Sequence, residues 1–308
     1  MSNTFTVDAL VDQLTLHKRM LNFIQEQGLI IDGIIFDDCI HRVKTINKPK
    51  SNNGWYSTFA NGKGIVAGDW QTGLVNSWHS NSNLNTEQHK SQLRETIQQQ
   101  KTKKNQEQQL TAIDADKKYN KCKAALQHPY LSLKNIPPVK GLRIFRNSLI
   151  LPLRNIETNN NQIMNTQSIL GNGAKRFMKR GRINGLCFPV GGLRRTPEVV
   201  YITEGVATAI SVYINTNCLV LAAMNAGNLK PVALTARYRW PEAKIIIAGD
   251  DDWVTQQKTN INPGVEKATE AAIAVGGYTS FPPFTKEQRE NNLTDWNDFL
   301  HGHVRVSV

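Results

Sequence analysis

Two short acidic motifs stand in the last third of the chain, and their residue types and surroundings suit them to holding a divalent cation. Thr203-Glu204-Gly205 ends the apolar run Val199-Val200-Tyr201-Ile202, and Gly249-Asp250-Asp251-Asp252 follows Ile245-Ile246-Ile247-Ala248. On an extended segment Asp250 and Asp252 face one side and Asp251 the other. Two carboxylates this close each raise the other's pKa, and a bound cation reverses that effect. With no histidine or cysteine nearby, an all-oxygen donor set selects Mg2+ or Mn2+ over zinc. A metal held by few carboxylates keeps positions open for water and substrate phosphates, as phosphoryl transfer requires.

Gly205 falls where a strand should turn into a helix, and a side chain there would obstruct a ligand's approach. The first N–H groups of that helix are free for an anion. A third acidic group lies in Thr294-Asp295-Trp296-Asn297-Asp298. In it Asp295 reads as a helix cap and Asp298 as the candidate that closes the metal site.

Such acids act together only if the fold gathers them. From Val199 onward, strands of four to six apolar residues alternate with helices of about ten residues. The strands are expected at 199–203, 218–222, 244–248 and 278–281, and the helices at 205–214, 229–240 and 263–274. This pattern predicts an α/β fold with a doubly wound, mostly parallel sheet, in which ligands gather at the carboxyl ends of the strands. Glu204 and Asp250 both fall at such ends.

Residues 128–197 read as a strand-rich lobe, with runs at 149–153, 162–170 and 186–190 and a turn at Glu157-Thr158-Asn159-Asn160-Asn161. Lys175, Arg176, Lys179, Arg180, Arg182, Arg194 and Arg195 accumulate there with no acidic residue from Gly171 to Pro197. Cations without counter-charges repel one another, so a phosphate-binding surface is expected. Residues 81–127 are Gln- and Lys-rich with no proline or glycine, and read as one long solvated helix linking domains. Residues 1–80 read as a small α+β domain, with a helix over 7–27 and an antiparallel sheet over 30–78. Trp55, Tyr56, Trp70 and Trp78 lie in that sheet, as core or as stacking platforms for bases. The expected domains are therefore 1–80, 81–127, 128–197 and 198–308.

The formal charge of +12 points to polyanionic partners, nucleic acid first. No apolar run reaches the length of a membrane span, and Asp8, Asp12, His17, Lys18 and Arg19 interrupt any leader-like core, so a cytoplasmic protein with no membrane partner is expected. Cys39, Cys122, Cys187 and Cys218 form no C-x-x-C pair and signal neither a zinc ribbon nor a disulfide framework.

At these residues the chain resembles the Toprim family, the catalytic domain shared by bacterial-type primases, type IA and II topoisomerases and some nucleases. The resemblance runs over about Val199 to His301 and rests on Glu204-Gly205 after the first strand and on Asp250 and Asp252 after a later one. Glu204-Gly205-Val206-Ala207-Thr208-Ala209 is similar to the E-G-Y-A-T-A signature of primases from satellite phages and conjugative plasmids, with Val206 in place of tyrosine. Other segments resemble those primases too: His128-Pro129-Tyr130-Leu131, Leu151-Pro152-Leu153, Gly173-Ala174-Lys175-Arg176-Phe177 and Gly68-Asp69-Trp70-x-x-Gly73.

The resemblance implies metal-dependent joining of nucleoside triphosphates on a single-stranded DNA template. Asp250 and Asp252 would hold the ions, Glu204 would be a further ligand or the general base, and the 175–195 cluster would guide template or triphosphate. No G-x-x-x-x-G-K-[ST] helicase motif occurs, so a replicative helicase acting in trans is expected. A Toprim nuclease using the same carboxylates and a non-catalytic, single-stranded-DNA-binding replication accessory protein are the competing readings. A topoisomerase is disfavoured, because Tyr201, Tyr213 and Tyr238 all fall inside apparent core elements.

Overall fold

The computed structural model describes residues 7–60, 62–80, 86–158, 161–193 and 196–301. The chain divides into two compact units, Met1–Gln100 and Lys101–Val308.

In the first unit, helix α1 (Val7–Glu26) leads into five strands: β1 (Leu29–Ile30), β2 (His41–Thr45), β3 (Gly54–Phe59), β4 (Gly64–Asp69) and β5 (Val75–His79). They form one antiparallel sheet in sequence order. Gly28 ends α1 in a left-handed conformation (φ 73°) that a residue with a β-carbon adopts at a cost. Met20 and Ile24 of α1 pack against Tyr56, Ile65 and Ala67, and this apolar contact holds the unit together.

Helix α2 (Thr86–Asn120) spans the division between the units. The solvated linker expected from its composition is only part of the truth. Ala115 and Tyr119 are buried against Ile150 and Ile163, so the last turns of α2 belong to the core of the second unit.

The second unit begins with β6 (Lys123–Ala124), the short helix α3 (Pro129–Leu133), β7 (Arg143–Phe145), β8 (Ser148–Arg154), β9 (Ile163–Ile169) and β10 (Lys175–Phe177). The five strands form an antiparallel meander in the order β10-β9-β8-β7-β6. Next come β11 (Phe188–Val190), β12 (Val199–Thr203), α4 (Val206–Thr216), β13 (Leu219–Ala222), α5 (Leu229–Arg239), β14 (Lys244–Ala248), α6 (Trp253–Thr259), α7 (Pro263–Ala274), β15 (Tyr278–Ser280), α8 (Lys286–Glu290) and α9 (Trp296–His301). The last sheet has the order β11-β13-β12-β14-β15. Its β13, β12, β14 and β15 run parallel, and β11 is antiparallel to β13. The strand expected at 186–190 therefore leaves the basic lobe and edges the parallel sheet.

β12, β13 and β14 are apolar runs covered on both faces, which is why they read as continuous rather than alternating, whereas β15 is a short, exposed edge strand. On one side, α4 is sandwiched between this sheet and the meander: Val206, Ile210 and Val220 share a core with Leu149, Leu151 and Leu153. On the other, α5 and α7 cover Val200, Ile202, Ile245 and Ile247. The shared core joins the meander rigidly to the carboxyl ends of β12 and β14.

Candidate active site

Strand register sets the site. β12 and β14 are neighbours with Thr203 opposite Ala248, so Glu204 and Asp250 emerge one and two residues beyond a matched pair. Gly249 fixes the exit of β14, donating its N–H to the Ser280 carbonyl of the next strand (3.0 Å). A β-carbon at Gly249 would stand 2.6 Å from Phe281 and 2.7 Å from Ala268.

Helix α4 starts at once after Glu204. Gly205 is its N-cap, with an extended backbone (φ −106°, ψ 158°) and no side-chain cap. Its position needs no positive φ, and a β-carbon there would meet only Thr208 Oγ1 at 3.8 Å. Neither backbone geometry nor packing demands glycine, so what a side chain would fill is open space in front of the first N–H groups of α4.

The three consecutive aspartates divide their tasks. Asp250 sends Oδ1 into a fully buried position where no protein group bonds it. Asp251 points the other way and is bound on every side: its carboxylate accepts from Arg289 Nε (2.8 Å) and from Asn262 Nδ2 (2.9 Å), and its N–H donates to the Thr294 carbonyl (2.7 Å). Asp252 accepts from the Gly264 N–H through Oδ2 (3.0 Å), at the start of α7.

The last acidic pair behaves differently from the expectation for it. Asp295 does act as a cap, accepting from the Asp298 N–H through Oδ1 (2.9 Å). Yet its charge is also the one that acts most strongly on Asp250. Asp298 is taken up by protein partners, with Oδ2 accepting from the Thr294 N–H (3.2 Å) and Oδ1 facing Lys134 Nζ (3.5 Å). Asp295 and Asp298 both bear on Asp250, Asp295 the more strongly, and Asp298 is the one whose oxygens are bonded to Thr294 and Lys134.

The electrostatics follow from crowding acids in a poorly solvated place. Burial raises the pKa of Asp250 well above the usual carboxylate range, and the charges of Asp295, Glu204, Asp252 and Asp298 push it further. Burial and Asp252 likewise raise Glu204, against the backbone N–H of Ala226 and the charge of Lys175, which lower it. Asp295 is raised by burial and by Asp298, with Lys134 opposing.

Two lysines from the meander side meet these acids. Gly173 (φ 83°) makes the tight β9–β10 turn, where the Leu170 N–H donates to the Ala174 carbonyl (2.9 Å), and the turn delivers Lys175. Lys175 keeps contact with solvent, yet crowding by protein lowers its pKa, as does Lys134, while Glu204, Asp295 and Asp250 pull it upward. Lys134 is placed by α3, whose N-cap is His128 with Pro129 at the first helical position. Asn297 Nδ2 donates to the Lys134 carbonyl (2.9 Å), tying α3 to α9.

The basic cluster does not act as a block. Among its described members, Lys175 is the one that meets the carboxylates. Arg176 and Lys179 are exposed, and Arg180 faces Glu107 Oε1 of α2 at 3.8 Å, a counter-charge that local sequence cannot reveal. Arg182 buries its Nε without a hydrogen-bond partner. Arg194 and Arg195 lie outside the described residues. Lys134, at the C-cap of α3, and Arg289, in the short polar helix α8, carry no signal in the sequence, because nothing local marks which cation will meet an acid far along the chain.

The donor set fits a hard divalent cation. The orphaned oxygen of Asp250, the mutual repulsion of Asp250, Glu204, Asp252 and Asp295, and oxygen-only chemistry all favour it. Among the described residues no three acidic, histidine or cysteine side chains stand close enough together to hold a metal ion as they are. An ion here would be held by few protein ligands and would keep open positions.

Residues 199–305 match the model of the Toprim domain. This stretch is a Toprim domain. The chain is similar to DNA primase TraC of Escherichia coli, at 38% identity over 151 residues, 46% of this chain and 14% of the relative. A second protein of that name and organism is 33% identical over 222 residues, 70% of this chain and 15% of the relative. The chain thus spans about a seventh of the length of these curated relatives. Among solved structures, the primase fragment of the bacteriophage T7 primase-helicase aligns over 59% of this chain and 68% of its own, with 16% identity and a TM-score of 0.37. Among the described residues no helix is long and apolar enough to cross a membrane.

Proposed function

We propose that the chain is the catalytic part of a DNA primase, joining nucleoside triphosphates into short primers on single-stranded DNA. The observation that carries this is the cluster of Glu204, Asp250 and Asp295 at the carboxyl ends of β12 and β14, with a buried unpartnered oxygen, faced by Lys175 and Lys134. Acids and cations meeting at one opening suit a triphosphate with its metal, and the similarity to DNA primase TraC gives the reading its direction.

Asp250, with Glu204, Asp252 or Asp295 drawn in as the ion binds, would hold Mg2+ or Mn2+. When bound, the metal neutralises charge that develops on the phosphates and lowers the pKa of an attacking hydroxyl. Lys175 and Lys134 bind non-bridging phosphate oxygens and orient the triphosphate. The open N-terminus of α4, kept clear by Gly205, offers N–H groups to the same oxygens. Asp251 holds the segment between Asp250 and Asp252 in place through Arg289 and Asn262. Glu204 would serve either as a further metal ligand or as the base that accepts the proton of the attacking 3′ hydroxyl. Template unwinding would come from a helicase acting in trans.

The test is to incubate the protein with single-stranded DNA, labelled nucleotides and either metal, beside Asp250→Asn and Glu204→Gln. Template-dependent oligomers made by the wild type alone support the proposal. Strand cleavage without added nucleotides would instead favour a Toprim nuclease. DNA binding that both variants retain, without turnover in any protein, would favour an accessory role.

A further inference from the structure

The first unit carries a surface that the carboxylate site does not use. Met20 and Ile24 of α1 pack on Tyr56, Ile65 and Ala67, so alternation along the strands turns Trp55 to the opposite face of the sheet. Across that face Arg42 stands opposite Trp55, Trp55 opposite Gly68, and Gly68 opposite Val75, in one row. Gly68 is there because the Trp55 indole lies flat on it: a β-carbon would stand 2.8 Å from the ring and 2.6 Å from the Leu74 carbonyl oxygen.

Trp70 then stacks over Trp55, with ring centroids 5.3 Å apart and planes at 29°. Trp55 is 1% exposed, whereas Trp70 keeps 49% of its area in water. The outer indole is not on a loose loop. The Trp70 backbone N–H donates to the Asn53 carbonyl (3.0 Å), and the turn is closed by Gln71 N–H to Asp69 Oδ1 (2.7 Å) and Gly73 N–H to the Asp69 carbonyl (2.9 Å). Core packing accounts for Trp55, but it gives no reason to hold a second tryptophan rigidly in water.

The charge around the stack names the partner. Arg42 and Lys44 share the face of Trp55, and Lys48 and Lys50 lie in the loop that ends at Asn53. No acidic residue occurs between Asp38 and Asp69, and among the described residues none of these four cations is in an ion pair. A fixed, half-exposed indole bordered by cations is suited to stacking an unpaired base while the cations follow its phosphates. A duplex keeps its base faces covered, and a protein partner gives no reason for uncompensated cations.

We propose that Trp70, with Arg42 and Lys44, forms a single-stranded DNA-binding platform separate from the carboxylate site. It would retain template while the second unit acts, and it stands whether or not that unit makes primers.

The full-length chain bearing Asp250→Asn, which separates binding from chemistry, is titrated with a fluorescent oligo-dT. Further variants are Trp70→Ala, Trp70→Phe and Arg42→Ala/Lys44→Ala, each checked by circular dichroism and melting. Trp70→Ala is expected to weaken binding about tenfold, and Trp70→Phe to keep most of the affinity. The Arg42/Lys44 variant should flatten the salt dependence. An oligonucleotide carrying 5-iododeoxyuridine should photocrosslink at Trp70. Unchanged affinity in Trp70→Ala, an equal loss in Trp70→Phe, the same loss on a duplex, or crosslinks that avoid Trp70 would each overturn the proposal.

Discussion

Asp251 Oδ2 accepts a hydrogen bond from Arg289 Nε at 2.8 Å, so the middle acid of the aspartate run is a clamp. It fixes the segment between Asp250 and Asp252 to α8, and through its N–H to the Thr294 loop that precedes Asp295. Asp251→Ala should cost about 1–3 kcal/mol of stability, the usual range for a hydrogen bond to a charged group. Arg289→Ala should cost less, because its partner stays bonded to Asn262. Chemical denaturation of both single variants and the double should return a coupling energy of about 0.5–3 kcal/mol. Additive losses would mean that the contact is not formed in solution.

Gly205 gives a sharper separation of fold from function. Its backbone is extended and a β-carbon would meet only Thr208 Oγ1 at 3.8 Å. Gly205→Ala is expected to lower stability by at most about 1 kcal/mol, because alanine is a poorer N-cap than glycine. Nucleotide incorporation should nevertheless fall steeply, because the methyl enters the space before the α4 N–H groups. Full activity in this variant would remove α4 from the phosphate site.

Gly264 should behave differently. A β-carbon there would collide with the backbone carbonyl of Asp250 and stand 3.1 Å from Asp252 Oδ2. Gly264→Ala must push α7 off the aspartate segment, at about 1–3 kcal/mol, a typical overpacking cost. Melting temperature and activity are both predicted to drop, with activity lost even at temperatures where the variant stays folded.

Crowded acids also make a prediction about metal-free protein. Asp250 is destabilised by burial and by Asp295, Glu204 and Asp252, so Asp250→Asn removes repulsion and should raise the melting temperature in chelator. Magnesium or manganese should stabilise the wild type increasingly, with the logarithm of concentration above the dissociation constant, as any ligand of the native state does, and should stabilise Asp250→Asn far less. Differential scanning fluorimetry across a metal titration reads both effects. A wild type indifferent to both metals would contradict the assigned ligands.

The sequence made the centre of the site legible and left its surroundings dark. β12 and β14 are apolar runs that end in acids, and parallel strands buried on both faces leave no other reading of such runs. Their adjacency, with β13 on the far side of β12, is a crossover that the alternation of strand and helix permits but does not dictate. The short polar helices α6, α8 and α9 carry too few apolar positions to show a period, so the placements of Arg289 and of Asp298 stayed hidden. Composition marked α2 as solvated, but the small residues Ala112 and Ala115 bury well without raising its average hydropathy. Phe188–Val190 reads as a strand from local pattern, while its choice of β13 over the meander is a tertiary decision. Asp295 and Asp298 could be ranked only once Lys134, distant in sequence, was seen to occupy Asp298.

The most direct measurement is the rate of the first phosphodiester bond between two nucleotides on a short single-stranded template, at saturating Mg2+ or Mn2+, for the wild type and for Asp250→Asn. Removing the carboxylate that presents the buried free oxygen should slow the step by on the order of 100-fold or more, with oligonucleotide binding preserved. Equal rates in the two proteins would contradict the account.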